Sequence, residues 1–250
     1  MKKLNLFLLA MITMVSLSIM MHSCDDFDGY STGNFQIRMA TVRVISGNAY
    51  YLEIDNGKTL FPAATQIPGY KPVDGKRVVA DFTLLYDDYE GYNYGVRVNW
   101  LTNVLTKQVE DLTAENEEEF GNDPVRIYDM WIGGNYLNVE FGLFLPVSKA
   151  HRVSLVMNTL VEQPEDDYIH LEYRYNDQDD VSPYERLSLV SFHLGDYGLE
   201  SASAYKGIKV KINSEKNGEK DIVFDFPAAD AAVNAKTINN PEKLEESKVK

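Results

Sequence analysis

The residues of this 250-residue chain best suited to chemistry are one cysteine, four histidines, a run of aspartates and a large set of aromatic rings. Cys24 stands alone, which excludes an internal disulfide and any cysteine-rich metal site. His151, His170 and His193 are isolated, with no metal-ligand spacing between them and no Ser or acid motif around any of them. On strand parity, His170 groups with Glu172 and Arg174 on a polar outer face. His151 groups with Val153 and Leu155, as a strand-end residue that finds a partner. Residues 176–180 hold the best metal candidates, Asp177, Asp179 and Asp180. Read as a calcium loop from Asp177, the run needs an oxygen ligand at its fifth position, glycine at its sixth and Glu at its twelfth. Val181, Ser182 and Ser188 stand there instead. A looser surface cation site remains open for the three aspartates, beside the plainer reading as a polar hairpin loop. There is no phosphate loop and no nucleophile elbow, so neither an enzyme nor a cofactor is expected.

The aromatics fall in two groups. Tyr50, Tyr51, Phe61 and Tyr70 lie early, and Tyr86, Tyr89, Tyr92 and Tyr94 surround one acidic turn. Tyrosines at strand period mostly fill a core with their hydroxyls at its rim. Tyr89, at the loop tip, is the one hard to bury and is the candidate for stacking on a ligand.

Cys24 has its own context. Lys2 and Lys3 precede an apolar stretch, residues 4–21, which is short and diluted by hydroxyls for a membrane span. The run ending at Met21, His22, Ser23 and Cys24 resembles a bacterial lipoprotein signal. In such signals a cysteine after a small residue is lipidated and becomes the mature N-terminus. Asp25, Asp26 and Asp28 follow at once, and resemble the acidic signal that sends lipoproteins of the Bacteroidetes to the cell surface. A solvated tether is the alternative. The expected address is the outer membrane, through a lipid anchor, with the body at either face.

The whole chain has 24 Lys and Arg against 38 Asp and Glu, a charge of −14. Losing Lys2 and Lys3 with the signal leaves 22 against 38, or −16. Such a charge repels phosphate backbones and excludes general nucleic-acid binding. It suits a soluble body held off a membrane better than a basic lipid-binding face.

The elements that must position these residues are almost all strands. Val78, Ala80, Phe82 and Leu84 alternate with Arg77, Asp81 and Thr83. Tyr92, Tyr94, Val96, Val98 and Trp100 share one face of the next strand, and residues 87–91 form the acidic connection. Parity switches between Ile37 and Met39 on one side and Val42 and Val44 on the other, which suggests a bulge near Ala40 and Thr41. Turns at Gly47-Asn48 and Asn56-Gly57 bound a short strand, and together these features suggest a Greek-key barrel of the oligomer-binding (OB) kind over residues 35–109. Residues 110–122 are acidic and poor in large apolar side chains, and read as a linker with room for one short helix. Seven alternating segments follow in residues 123–226, ending in a hairpin at Asn217-Gly218, and suggest a β-sandwich. The remaining divisions are the signal (1–23), the acidic tether (24–34) and a tail without aromatics (227–250), read as disordered.

Read in order, several stretches resemble the NigD-like lipoproteins of Bacteroidetes. They are residues 51–62, 75–79, 104–107, 121–125, 130–139, 151–158 and 190–192, including Trp131-Ile132-Gly133-Gly134-Asn135-Tyr136. The resemblance implies an all-β architecture, an N-terminal OB-like domain followed by a C-terminal β-sandwich. The family name comes from a member of a bacteriocin locus proposed as an immunity protein. The functional expectation is a lipid-anchored, non-catalytic envelope protein that binds another macromolecule, with a bacteriocin-immunity-type role implied by the resemblance. The alternatives are a glycan-binding surface accessory, motivated by the aromatic hairpins, and more remotely a hydrolase.

Overall fold

The computed structural model describes residues 35–145, 148–180, 182–201 and 204–226. The signal, Cys24, Asp25, Asp26, Asp28 and the segment 227–250 lie outside the described residues. Among the described residues no helix is long and apolar enough to cross a membrane.

The chain first forms a closed five-stranded barrel. Its strands are β1 (Phe35–Ser46), β2 (Ala49–Ile54), β3 (Thr59–Thr65), β4 (Arg77–Tyr89) and β5 (Tyr92–Asn103), in the order β1-β2-β3-β5-β4 with β4 returning to β1. All neighbours are antiparallel except β3 and β5. Alternate residues point inward, so Ala40, Val42, Leu52, Leu60, Val78, Ala80, Phe82, Val96 and Val98 form its core.

Two expectations about these strands need correction. β1 has no irregularity at Ala40 and Thr41; its register with β2 shifts only between Val44 and Ser46. The parity switch has another cause. Residues 39–42 are buried on both faces, because Met39 packs outside the barrel against Val79, Val104 and Leu189. In β5, Val96 and Val98 face the core but Trp100 is 59% exposed. Register shifts against β4, between Asp81 and Phe82 and between Leu84 and Tyr86, break the single face.

The rest of the chain forms one eight-stranded sheet. It comprises β6 (Leu105–Leu112), β7 (Ile127–Gly133), β8 (Tyr136–Leu145), β9 (Arg152–Asn158), β10 (Tyr168–Asn176), β11 (Tyr184–His193), β12 (Gly207–Ser214) and β13 (Gly218–Asp225). The order is β13-β12-β10-β9-β6-β11-β8-β7, curled so that its halves face each other across one core, built on Leu137, Phe141, Leu155, Tyr173, Phe192 and Val210. A parallel bridge joins Val125, just ahead of β7, to Ser214 at the end of β12.

Strand β6 lies at the centre of this sheet, paired in parallel with β9 and β11. The crossover from barrel to sheet therefore falls at Val104, and the first part of the stretch read as a linker is a core strand. Its acids are held in place. Arg152 reaches Glu110 at 2.9 Å and Glu119 at 2.6 Å, with its guanidinium 4.3 Å from the ring of Phe120. The expected short helix is α1 (Glu117–Phe120), seated by Phe120 against Leu112 and Val156.

Candidate functional site

The two groups of aromatics meet on the outside of the barrel. Strand order brings β2, β3, β5 and β4 side by side, and each contributes a ring to one row. Tyr51 lies 5.3 Å from Tyr92, Tyr92 stacks on Phe61 at 5.0 Å, Phe61 lies 5.9 Å from Tyr89, and Tyr89 stacks on Tyr86 at 5.2 Å. Tyr86 ends the row 52% exposed, and the other rings are half-buried. Tyr89 lies across Gly95, where an added Cβ would come within 2.7 Å of its ring. Below the row, Lys58 donates to the Tyr94 hydroxyl at 2.9 Å, and the side-chain oxygen of Asn93 accepts the Thr59 amide at 2.8 Å, tying β3 to β5. A row of rings with polar edges is a preformed contact surface of the kind that dominates macromolecular interfaces. Tyr89 thus belongs to the row and is not a lone tip; Phe61 and Tyr92, which the sequence leaves between core packing and stacking, are its middle members. The signal was Gly95, opposite Tyr86, but a bare glycine in a strand does not announce which ring will cover it.

The other candidates are dispersed. Asp180 accepts the backbone N–H groups of Ser148 and Lys149. Asp177 accepts the amide of Asp179 at 2.9 Å, and its own amide donates to Asp123. Gln178 and Asp179 have left-handed backbone, so these carboxylates shape a turn. Among the described residues no group of three or more His, Cys, Asp and Glu converges on a metal position. His170 contacts Asp166 at 2.8 Å, a carboxylate it shares with Lys209, and His193 contacts Gln108 at 3.2 Å. His151 is 1% exposed, its Nδ1 2.6 Å from the Tyr175 hydroxyl.

Burial pushes the His151 pKa down, and Asp177, Asp180 and Asp123 oppose this less strongly. The folded state therefore takes up its proton at lower pH than the unfolded chain. Stability from this site is complete above the unfolded value near 6.5 and is lost as pH falls through the folded one. Urea midpoints are expected to fall from pH 7 to pH 5 in the wild type, with a shallower slope in His151→Gln. Equal slopes would assign the acid sensitivity to other groups.

A polar cluster that sequence reasoning missed joins the two halves. Arg77, at the start of β4, is 1% exposed and donates to Asp55 at 2.7 Å, Thr41 at 3.1 Å and Asn138 at 3.2 Å. Ser191 donates to Asn138 at 2.6 Å, and the guanidinium lies 4.3 Å from the Tyr136 ring. Gly133 packs against the Asp55 carboxylate, where any side chain would collide with Oδ2. Its members come from β1, β4, β7, β8, β11 and the β2–β3 turn, a grouping that only the folded topology reveals.

Family models match both parts: the NigD-like N-terminal OB domain over residues 39–104 and the NigD-like C-terminal beta sandwich domain over residues 108–226. The chain belongs to the NigD-like family. Solved structures similar to it include a protein of unknown function from Bacteroides vulgatus, 33% identical, with a TM-score of 0.76 over 85% of this chain and 100% of that one. A toxin-related protein from Parabacteroides distasonis is 30% identical, with a TM-score of 0.63 over 77% of this chain and 93% of that one. A NigD-like immunity protein from Bacteroides caccae shares the fold at 18% identity, with a TM-score of 0.56 over 78% and 93%. No curated protein matches. The NigD-like assignment agrees with the all-β barrel-plus-sandwich architecture, and the gap between the two matched stretches coincides with the crossover into β6.

Proposed function

We propose that this NigD-like protein is a lipid-anchored, non-catalytic protein of the outer membrane that binds another macromolecule, a protein partner in an immunity-type role. The row from Tyr51 to Tyr86 carries this reading, because it offers a rigid aromatic surface at low entropic cost. The words toxin-related and immunity protein, attached to two of its structural relatives, support the choice of partner. Cys24 supplies the anchor, and Asp25, Asp26 and Asp28 the route toward the surface. A strain lacking the protein should gain sensitivity to a bacteriocin of competing strains. Wild type should restore protection, and Tyr86→Ala combined with Tyr89→Ala should not. Unchanged sensitivity on deletion, with no envelope or toxin protein retained by the purified body, would count against the proposal.

The exposed end of the row also favours a second reading, a glycan-binding accessory in which a sugar ring stacks on Tyr86. A glycan array with no hits, or binding that survives Tyr86→Ala and Tyr89→Ala, would remove it.

A further inference from the structure

Strand β5 changes faces part-way along. Val96 and Val98 point into the barrel core, and unbroken alternation would send Trp100 in after them. Instead Phe82 pairs with Val98 and Asp81 with Trp100, so Asn99 is an extra residue with no partner on β4. After this bulge Leu101 takes the place against the core, and Trp100 turns outward, 59% exposed. Bulges of this kind re-aim side chains at functional positions.

Beside Trp100 the outer face carries a set of fixed polar groups. Asn99 donates to Asp81 at 2.9 Å and to Thr83 at 3.1 Å. Arg97 donates through Nε to Asn99 at 3.1 Å and through Nη2 to Thr83 at 3.3 Å. Thr83 is the buried base of the group, with Asp81, Asn99 and Arg97 half-buried around it. Among the described residues these bonds leave Arg97 Nη1 and Asp81 Oδ2 unused, and neither atom is sealed from solvent. Across the group, Phe35 of β1 stands opposite Thr83 and is 63% exposed. Strand spacing and rise set Phe35 and Trp100 roughly 12 Å apart at Cα.

Two exposed rings with a fixed donor and a fixed acceptor between them match a sugar. The C–H face of a pyranose stacks on an indole, and its hydroxyls donate to a carboxylate and accept from a guanidinium. The charges of Asp81 and Arg97 cancel, which suits an uncharged ligand. An apolar protein surface laid here would strip these groups of water without pairing them. A phosphate would meet the Asp81 carboxylate and a chain of charge −14. We infer that this face of β4 and β5 binds a neutral oligosaccharide. Trp100 is the stacking platform, Arg97 and Asp81 are the hydroxyl partners, and Phe35 lies under a second sugar ring. Asp81 is five residues along β4 from Tyr86, roughly 16 Å. The site therefore rests neither on the aromatic row nor on the glycan reading given to Tyr86.

Binding is measured on an array of neutral gluco-, manno-, galacto- and xylo-oligosaccharides, with polygalacturonate and heparin as anionic controls. The probe is the full chain carrying Cys24→Ala. At least one neutral class should retain it, and retention should fall at least tenfold with Trp100→Ala and with Arg97→Gln. Trp100→Tyr should recover part of the loss, and Tyr86→Ala combined with Tyr89→Ala should leave retention unchanged. Trp100 and Arg97 lie on the outer face, so the variants should keep their melting temperature within a few degrees. With Trp131→Phe, Trp100 is the one tryptophan left, and its emission should shift to the blue when the retained oligosaccharide is added. No retention by any neutral class, or retention by the anionic polymers alone, would overturn the inference. Retention that survives Trp100→Ala but is lost with the tyrosine pair would also overturn it, and would assign the glycan to the aromatic row.

Discussion

Replacing Arg77 by alanine is expected to cost about 3–5 kcal/mol of folding stability, the range for breaking a buried ion pair by removing one partner. The geometry places Arg77 at that end. Its side chain is 1% exposed, and that of its partner Asp55 is 3% exposed. No water can replace the guanidinium there without opening the contact between barrel and sheet. For a domain of this size the loss corresponds to a drop of roughly 6–20 °C in melting temperature. The cluster spans both halves, so the variant should also lose cooperativity. The chain has two tryptophans, Trp100 on β5 of the barrel and Trp131 on β7 of the sheet. With Trp100→Phe or Trp131→Phe, fluorescence follows one half at a time. In the parent the two transitions should coincide, and with Arg77→Ala they should separate. Asp55→Ala combined with Arg77→Met, which leaves no charge stranded, should recover part of the loss. A cost below 1 kcal/mol would refute the role given to this cluster.

The second large effect is on location. Under the proposed lipid anchor, Cys24→Ala should move the protein almost entirely from the membrane fraction to the soluble one. Each acyl chain contributes about 0.8 kcal/mol per buried methylene, so a multiply acylated terminus does not exchange measurably, whereas the unmodified body has no comparable hold. The charge of −16 after removal of Lys2 and Lys3 works against residual attachment to an anionic surface. Fractionation followed by immunoblotting reads the result. Continued membrane retention of Cys24→Ala would rule out this cysteine as the anchor.

How far the sequence reveals the molecule depends on the range of the interaction concerned. Strands with a period of two and turns such as Asn217-Gly218 are local, and the all-β fold follows from them. Where local rules mislead, a distant neighbour is responsible. Met39 breaks the parity of β1 because a second sheet covers it, and Glu110 reads as linker because its partner, Arg152, is 42 residues away. The same limit hides the aromatic row. Tyr51 and Tyr92 become neighbours only when β3 and β5 pair in parallel, a connection that no short-range pattern encodes. The Arg77 cluster is hidden more completely, since its partners come from both halves of the chain.

The central claim is that the aromatic row of the barrel is the surface that meets a macromolecular partner. It is tested most directly by immobilising the soluble Cys24→Ala body, passing solubilised envelope and bacteriocin preparations over it, and repeating with Tyr86→Ala and Tyr89→Ala added. Both side chains lie on the outer face of the barrel, so melting temperature should stay within a few degrees. A protein retained by the first body and at least tenfold depleted from the second is the predicted result. Retention of the same proteins in equal amounts by both would contradict the claim.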